Sequence, residues 1–296
     1  MDFNIEMKER VAYIEQVLEN YLPKQEGFQK TLLDAMHYSV MAGGKRLRPM
    51  LILEAYRLFG GTNENEIEPF MAAMEMIHTY SLVHDDLPAM DDDAYRRGRK
   101  TTHIVYGEAM GILAGDALLN YGFEVATEVF LKTEDLKKAT WAFSVLAKKP
   151  GIYGMIGGQA VDVENNDQPM EQDKLDFIYD LKTGALIEAS MMIGAIMAGA
   201  GEEQVKKIEN VAKKIGLAFQ IQDDVLDVIG EEEEIGKPVN SDEKNHKTTY
   251  VTLLGIEQAK EEVARLSKEA LNDLQNISNR NLFLEELVAY LICRTK

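Results

Sequence analysis

The sequence predicts an all-α fold that forms one large domain over residues 1–296. Apolar residues recur every three or four positions through most of the chain, which is the spacing of amphipathic helices. No stretch shows the alternating pattern of a strand, and no linker, repeat or low-complexity segment divides the chain. Hydrophobic residues make up 46% of the sequence, which is enough for a substantial core.

The helical segments follow one another with short breaks. We expect them at 3–22, 28–42, 50–59, 66–87, 108–131, 135–148, 171–200, 203–229, 249–275 and 281–293. Pro150-Gly151 and Gly157-Gly158 predict a break before Gln159, because glycine and proline both interrupt helices. Residues 231–247 are polar and too numerous for a tight turn, so we expect a mobile loop there.

Composition excludes several classes of protein. A net charge of −18 argues against nucleic acid as a partner. The single cysteine, Cys293, excludes internal disulfides, so we expect a reducing, cytoplasmic location. The longest apolar run, 189–200, is too short to span a bilayer, and the charged N terminus lacks the apolar core of a signal peptide. We therefore expect no stable membrane insertion.

The helix expected at 66–87 ends in a dense group of charged residues. Five carboxylates fall within nine residues: Asp85, Asp86, Asp91, Asp92 and Asp93. Carboxylates at a buried helix end repel one another unless a cation neutralises them, and Mg²⁺ prefers such oxygen ligands. Arg96 and Arg97 follow, and the guanidinium fork matches the oxygens of a diphosphate. A solvated acidic helix end is the alternative, although negative charge at a helix C terminus is unfavourable.

The spacing of Asp85 and Asp91 requires a local distortion if both are to bind one ion. Six residues correspond to about 240° around an ideal helix. Pro88 lies between them and should break the last turn, which could bring Asp91 back beside Asp85.

A second acidic group closes the apolar run of 203–229 with Asp223, Asp224 and Asp227. Asp223 and Asp227 are four residues apart and share one helix face. One aspartate pair is weak evidence for a metal. Two clusters that each close an apolar helix indicate a shared metal–diphosphate site.

A basic segment, Lys45-Arg46-Leu47-Arg48-Pro49, follows the glycine pair Gly43-Gly44. Glycine lets backbone amides approach a ligand, and the start of the next helix adds positive potential. Pro49 is placed like a first-turn proline of that helix. We interpret the segment as an anion site; the alternative is a basic surface turn.

These segments together resemble the short-chain trans-isoprenyl diphosphate synthase family, of the bacterial farnesyl diphosphate synthase type. The matching segments occur in the family's order and span nearly the whole chain: 43–49, 84–91, 157–159, 182–184 and 220–227. The resemblance implies a helical bundle around a central cavity and a homodimer.

The resemblance also implies a reaction. An allylic diphosphate, dimethylallyl or geranyl, ionises to a carbocation, the double bond of isopentenyl diphosphate attacks it, and the released diphosphate takes the proton that is lost. Farnesyl diphosphate is the expected product, and three Mg²⁺ ions per active site are the expected cofactor. Metals and cations would stabilise the charge that develops on diphosphate.

Residue roles follow from the resemblance by position. The expected metal ligands are Asp85, Asp86, Asp91, Asp223, Asp224 and Asp227. The allylic diphosphate would be held by Arg96, Lys182, Gln220 and Lys237, and Thr183 with Gln220 would lie close to the cationic carbons. Isopentenyl diphosphate would be held by Gly44, Lys45, Arg48, His78 and Arg97. The simpler interpretations are a core histidine for His78 and a surface lysine for Lys182.

Product length is expected to depend on Tyr80, five residues before Asp85 and about 7.5 Å along a regular helix. In the family, a large aromatic residue at this position, with a four-residue spacer between the aspartates, is associated with a fifteen-carbon product. The helical wheel places Ser81 more nearly below Asp85, so the Tyr80 ring would have to swing across the channel. The alternative is that Tyr80 only packs between helices.

Three other functions remain open from the sequence. A geranylgeranyl diphosphate synthase belongs to the same family and differs in product length. A terpene cyclase would not need the basic segment for a second diphosphate. A non-catalytic regulatory subunit would be expected to have a damaged acidic cluster, whereas both clusters are intact here.

Overall fold

A computed structural model describes residues 2–165, 170–229, 248–277 and 279–293. Within these ranges the regular structure is helical apart from one antiparallel pair of two-residue strands, β1 (Tyr95–Arg96) and β2 (Arg99–Lys100). The all-α prediction is therefore confirmed. The chain divides into two compact units, Met1–Leu53 with Thr62–Phe143 and Glu54–Gly61 with Ser144–Lys296. The expectation of a single domain stays a prediction.

The first unit contains the buried helix α4, and the following helical elements begin in that unit. They are α1 (Phe3–Tyr21), α2 (Lys30–Val40), α3 (Leu47–Leu58), a 3₁₀ turn (Glu64–Glu66), α4 (Glu68–Asp85), α5 (Thr102–Tyr106), α6 (Glu108–Ala126), α7 (Val129–Lys132) and α8 (Leu136–Lys148). Every residue of α4 from Pro69 to Ile77 is buried, because α1, α2 and α6 all pack against it. The acidic cluster therefore begins at the end of a rigid, buried helix.

Three glycines of α6 allow close approach to the C-terminal half of α4 and to Leu87, two residues beyond its end. They face these side chains: Gly111 faces Leu87, Gly115 faces His84, and Gly122 faces Ile77. A Cβ atom added at these glycines would lie 3.2, 2.1 and 3.1 Å respectively from the facing side chain. Contacts this short mean that α6 presents an almost bare backbone to its neighbour.

The second unit is organised around α11, all thirteen residues of which are buried. Its helices are α9 (Met155–Glu164), α10 (Gln172–Ile178), a π-helical segment (Tyr179–Gly184), α11 (Ala185–Met197), α12 (Glu202–Ile229), α13 (Tyr250–Leu254), α14 (Ile256–Gln275) and α15 (Leu282–Cys293). Two glycines flank the π segment closely. A Cβ at Gly158 would lie 2.4 Å from the Lys182 backbone nitrogen, and one at Gly216 would lie 2.9 Å from the Gly184 Cα.

The sequence predictions were wrong at a few element boundaries. Gly157-Gly158 does not break the chain but lies inside α9, because Gly158 is needed for the close approach to the π segment. The stretch 249–275 is two helices, separated at Gly255, whose φ is +83°. The helix expected over 171–200 contains the π segment, and α5 and the β1–β2 pair were not foreseen.

Two further expectations concern residues 231–247 and Lys237, which lie outside the described residues. In the described part of the chain, no helix combines the length and the apolar character needed to cross a membrane.

Candidate active site

The first acidic cluster forms a tight turn at the end of α4. The Asp91 amide donates to the Asp85 carbonyl oxygen at 2.8 Å, and the Met90 amide donates to the Leu87 carbonyl oxygen at 2.8 Å. Pro88 lies within this turn and has no amide hydrogen to continue the helix. The expected return of Asp91 to the level of Asp85 is confirmed for the backbone. The Asp85 side chain is half-buried and that of Asp91 is exposed, so both can meet solvent or a ligand.

Asp86 has a different environment from its neighbours. It is 4% exposed, and both Nε and Nη2 of Arg96 lie 2.6 Å from its Oδ1. Burial raises the pKa of the Asp86 carboxyl to about 6, although the Arg96 guanidinium opposes the shift. The pair ties the acidic turn directly to the first of the two arginines.

A group of arginines surrounds His78 in the middle of α4. The Arg48 Nη1 atom lies 3.1 Å from His78 Nε2, and since arginine has no acceptor, the imidazole accepts this hydrogen bond. Burial holds the pKa of His78 well below its usual range, and the nearby arginines, Arg48 first, lower it further. His78 is therefore neutral. Burial also lowers the pKa of Arg48 to about 10. The Arg48 Nε atom is buried without a hydrogen-bond partner among the described residues.

The segment 43–46 that precedes α3 is shaped by left-handed backbone. Gly43, Gly44 and Arg46 have φ values of +83°, +129° and +49°. Arg97, itself at φ +53°, donates from Nη1 to the Gly43 carbonyl oxygen. A Cβ at Gly44 would lie 2.6 Å from that Nη1 atom. The segment is thus fitted to Arg97, which brings one of the expected diphosphate-binding arginines to the basic segment. Lys45 is exposed.

Arg46 anchors the same segment to α4. Its side chain is fully buried, and Nη1 donates to Glu75 Oε1 at 2.9 Å, while Nη2 lies 3.5 Å from Glu15 Oε1. Glu75 is 2% exposed and also attracts Arg48 and Arg97 electrostatically. Sequence reasoning missed Glu75, because one glutamate in an apolar helix carries no local pattern.

Tyr80 lies on α4 with its ring against His84. The ring centroids are 5.8 Å apart at 82°, an edge-to-face arrangement. Tyr80 is 6% exposed, and burial, with Asp85 nearby, raises the pKa of its hydroxyl to about 12. Ser81 is half-buried, and its hydroxyl donates to the His78 carbonyl oxygen at 2.8 Å.

In the second unit, the π segment carries Lys182 and Thr183. Lys182 Nζ lies 2.6 Å from Asp162 Oδ2 on α9, and the Thr183 hydroxyl donates to Gln220 Oε1 on α12 at 2.8 Å. Single π turns often mark functional sites, because they present side chains that an α-helix would turn away. The structure brings Thr183 and Gln220 into direct contact. Asp162 was missed, because its partner is only set by tertiary packing.

The three aspartates of the second acidic group differ in how far they are buried. Asp224 is 4% exposed, and its Oδ2 accepts hydrogen bonds from the Tyr179 hydroxyl at 2.7 Å and the Tyr250 amide at 3.0 Å. Asp223 and Asp227 are half-buried on the same face of α12. Asp224 thus joins α12 to α13 and to the π segment, while Asp223 and Asp227 are the members that remain accessible.

Both acidic groups have the donor chemistry of a Mg²⁺ site. Within the described ranges, no three His, Cys, Asp or Glu side chains are gathered closely enough to hold a metal ion by themselves. Mg²⁺ commonly takes only one or two protein carboxylates and completes its octahedron with water and substrate phosphates. The accessible pairs Asp85–Asp91 and Asp223–Asp227 therefore fit Mg²⁺ that arrives with a diphosphate.

Comparisons with known proteins agree with this chemistry. A family model described as polyprenyl synthetase matches residues 29–288. The farnesyl diphosphate synthase of Geobacillus stearothermophilus is 44% identical over 270 residues, which cover 91% of this chain and 90% of that protein. The geranylgeranyl diphosphate synthase of Cyanophora paradoxa is 42% identical over 290 residues, covering 97% and 94%. The crystal structure of geranyltransferase from Helicobacter pylori complexed with magnesium and isoprenyl diphosphate has a TM-score of 0.85 and 34% identity, covering 99% and 97%.

Proposed function

This chain belongs to the polyprenyl synthetase family and is a prenyltransferase, and on that basis we propose that it joins isopentenyl diphosphate to dimethylallyl and geranyl diphosphate and releases farnesyl diphosphate. One observation carries the proposal beyond the family. The Asp86–Arg96 pair, 2.6 Å apart, connects the acidic turn that suits Mg²⁺ to the arginines that suit diphosphate.

The first unit supplies the site for isopentenyl diphosphate in this proposal. Arg48 and Arg97 bind its diphosphate, assisted by Lys45 and by the backbone at Gly44. Neutral His78 contributes by holding Arg48, since its Nε2 accepts from Arg48 Nη1 at 3.1 Å. The buried, unpartnered Nε of Arg48 is a donor that an anion or a water molecule would satisfy.

The allylic diphosphate is bound by Arg96, Lys182 and Gln220, together with Lys237, which lies outside the described residues. Bound Mg²⁺ would neutralise charge on the leaving diphosphate as the carbon–oxygen bond breaks. Asp85, Asp86 and Asp91 would hold it from one cluster, and Asp223 and Asp227 from the other, with Asp224 fixing α12. Before the substrate binds, the Asp162 carboxylate keeps Lys182 charged and in position. The diphosphate then replaces Asp162 as the partner of the lysine.

Thr183 and Gln220 stabilise the carbocation. Because the Thr183 hydroxyl donates its hydrogen bond to Gln220 Oε1, the lone pairs of the Thr183 oxygen remain available to the cationic carbon. The double bond of isopentenyl diphosphate then forms the new carbon–carbon bond. The proton lost from the adduct passes to the released diphosphate, so the chain needs no general base of its own.

We propose a fifteen-carbon product because Tyr80 is large, buried and one and a half turns from Asp85, where it would block a longer prenyl tail. A twenty-carbon product is the second candidate, because one relative bears the name geranylgeranyl diphosphate synthase. Replacement of Tyr80 by alanine is expected to lengthen the product, and an unchanged fifteen-carbon product would rule out Tyr80 as the floor of the channel.

We also propose three Mg²⁺ ions per active site and a homodimer. Large apolar side chains are exposed on α5 and α6, among them Ile104, Val105, Ile112 and Leu113, each at least 44% exposed. A second copy of the chain would cover such a surface. Leu113→Lys should therefore shift the molecular mass measured by sedimentation equilibrium toward the monomer, and an unchanged dimer would exclude this face.

The decisive experiment is a turnover assay with isopentenyl diphosphate and each allylic diphosphate, with chromatography of the products. Chelation should abolish activity and Mg²⁺ should restore it.

Arg48→Ala should mainly raise KM for isopentenyl diphosphate, whereas Lys182→Ala should mainly affect the allylic substrate, each by about 1.5–3 kcal/mol. Cyclised hydrocarbons would indicate a terpene cyclase, and no turnover would indicate a regulatory subunit. Equal effects of both variants on both substrates would contradict the division of roles.

A further inference from the structure

The contact between α4 and α6 carries an inference about product length, which rests on the proposal that Tyr80 closes the prenyl channel. We propose that His84 is a positioning residue that holds the Tyr80 ring across the channel, and that the missing side chain at Gly115 gives His84 its place.

The Tyr80 ring is positioned by packing and not by its own hydroxyl. That hydroxyl is buried and has no hydrogen-bond partner among the described residues. Tyr80 and His84 are four residues apart on α4 and lie on the same side of the helix. Their edge-to-face contact, 5.8 Å between centroids, is therefore the specific interaction that restricts rotation of the phenol ring.

His84 is itself held from two directions by α6. Its Nε2 atom lies 3.1 Å from the Ile112 carbonyl oxygen and donates to it. The same nitrogen occupies the space above Gly115, where an added Cβ would lie 2.1 Å from Nε2 and 2.3 Å from Cδ2. Even a methyl group at 115 must displace the imidazole and break the Ile112 hydrogen bond.

Two substitutions should then move the product in opposite directions. His84→Ala leaves a void beside Tyr80, into which the phenol ring can turn, so the channel deepens. Gly115→Ala drives the imidazole away from α6 and against Tyr80, so the channel becomes shallower. His84→Phe keeps an aromatic ring beside Tyr80 although it loses the Ile112 hydrogen bond, and it should retain the fifteen-carbon product.

The test is chromatography of the products made by the full-length enzyme from dimethylallyl and isopentenyl diphosphate at saturating concentrations. His84→Ala should raise the ratio of twenty- to fifteen-carbon product by about two- to tenfold, the change that loss of one aromatic pair allows. Gly115→Ala should raise the ten-carbon fraction by a similar factor. Impaired metal binding at neighbouring Asp85 would slow each condensation relative to product release and so shorten the product, which is the opposite of the change expected for His84→Ala. For Gly115→Ala, assays at several Mg²⁺ concentrations separate the two causes, because only a defect in metal binding would be relieved by more Mg²⁺.

Gly122→Ala is the matched control, because its Cβ would meet Ile77 at 3.1 Å in the same helix interface without touching His84. It should leave the product ratio unchanged, and thermal unfolding followed by circular dichroism should show that every variant is folded. Unchanged ratios in folded His84→Ala and Gly115→Ala, or an equal shift in Gly122→Ala, would overturn the inference. If Tyr80→Ala lengthens the product and the His84 and Gly115 variants do not change it, Tyr80 closes the channel but His84 does not position it. If Tyr80→Ala does not change the product, the proposal that Tyr80 closes the channel is wrong.

Discussion

The Asp91 backbone amide donates to the Asp85 carbonyl oxygen across 2.8 Å, although the two residues are six positions apart. The bond closes the acidic turn around Pro88 and sets the accessible carboxylates of Asp85 and Asp91 on one short stretch of backbone. The distance between the two backbone positions is therefore set by the turn itself. This rigidity is the basis of the first prediction.

Loss of the Asp85 carboxylate should lower turnover far more than loss of the exposed Asp92 carboxylate. Asp85→Ala should lower turnover by orders of magnitude, because a group that stabilises developing charge is typically worth about 10²–10³ in rate. Asp92→Asn is the control, since Asp92 is exposed with φ +52°, a conformation that asparagine tolerates. Turnover should be measured against Mg²⁺ concentration for both variants. Near-normal turnover of Asp85→Ala would remove the basis for the first metal site.

The two glycines before the basic segment provide a second comparison. Gly43 and Gly44 both have positive φ, +83° and +129°, so alanine at either position strains the backbone. A methyl group at Gly44 also meets Arg97 Nη1 at 2.6 Å, whereas nothing lies within 4 Å of one at Gly43. Gly44→Ala should therefore raise KM for isopentenyl diphosphate well above the value for Gly43→Ala. Equal KM values would show that the fit to Arg97 is irrelevant to substrate binding.

The buried Arg46–Glu75 pair should matter for stability. Arg46→Met leaves the Glu75 carboxylate buried without this partner, and breaking such a pair typically costs about 3–5 kcal/mol in free energy of unfolding. The double variant Arg46→Met, Glu75→Met removes both charges and should recover most of the loss. Urea denaturation measures both effects. If Arg46→Met were as stable as the parent, the buried pair would contribute little to the free energy of unfolding. Exposed pairs such as Lys260–Glu257 are expected to contribute little.

His78 should give the protein a specific sensitivity to acid. Its pKa is held well below the usual range in the folded state, whereas the unfolded chain binds a proton below about pH 6.5. Stability is therefore present above that pH and falls as the pH decreases, by up to about 1.4 kcal/mol per pH unit. His78→Gln removes this term while keeping an acceptor for Arg48. The free energy of unfolding in urea, measured between pH 7 and 5, should depend less steeply on pH for His78→Gln than for the parent, and identical slopes would contradict a neutral His78 in the folded protein.

Local sequence patterns predicted most of this architecture, and the reasons for the exceptions are physical. Helical periodicity predicted α1, α12 and the buried α4, and Pro88 predicted the turn that returns Asp91 to Asp85. The β1–β2 pair has strands of two residues, which are too short to show any alternation.

Partners that are set by tertiary packing could not be read from the sequence. Glu75 and Asp162 are single acids in helices, and nothing in the chain indicates that they face Arg46 and Lys182. Gly158 suggested a helix break because a glycine needed for close approach has the same local appearance as a glycine that ends a helix.

The π-helical segment also restricts how this chain can change in length. A π turn holds one residue more than the α turn it replaces, so the helices on its two sides keep nearly the phase that an uninterrupted α-helix would give them. Removing one residue between Tyr179 and Gly184 should therefore restore an ordinary helix and leave the thirteen buried residues of α11 packed as they are, at the cost of the local positions of Lys182 and Thr183. Removing one residue within α11 itself would instead rotate the rest of that helix by about 100° and exchange its packed faces. Between α10 and α11, the segment is thus the place where the chain can shorten without disturbing the core.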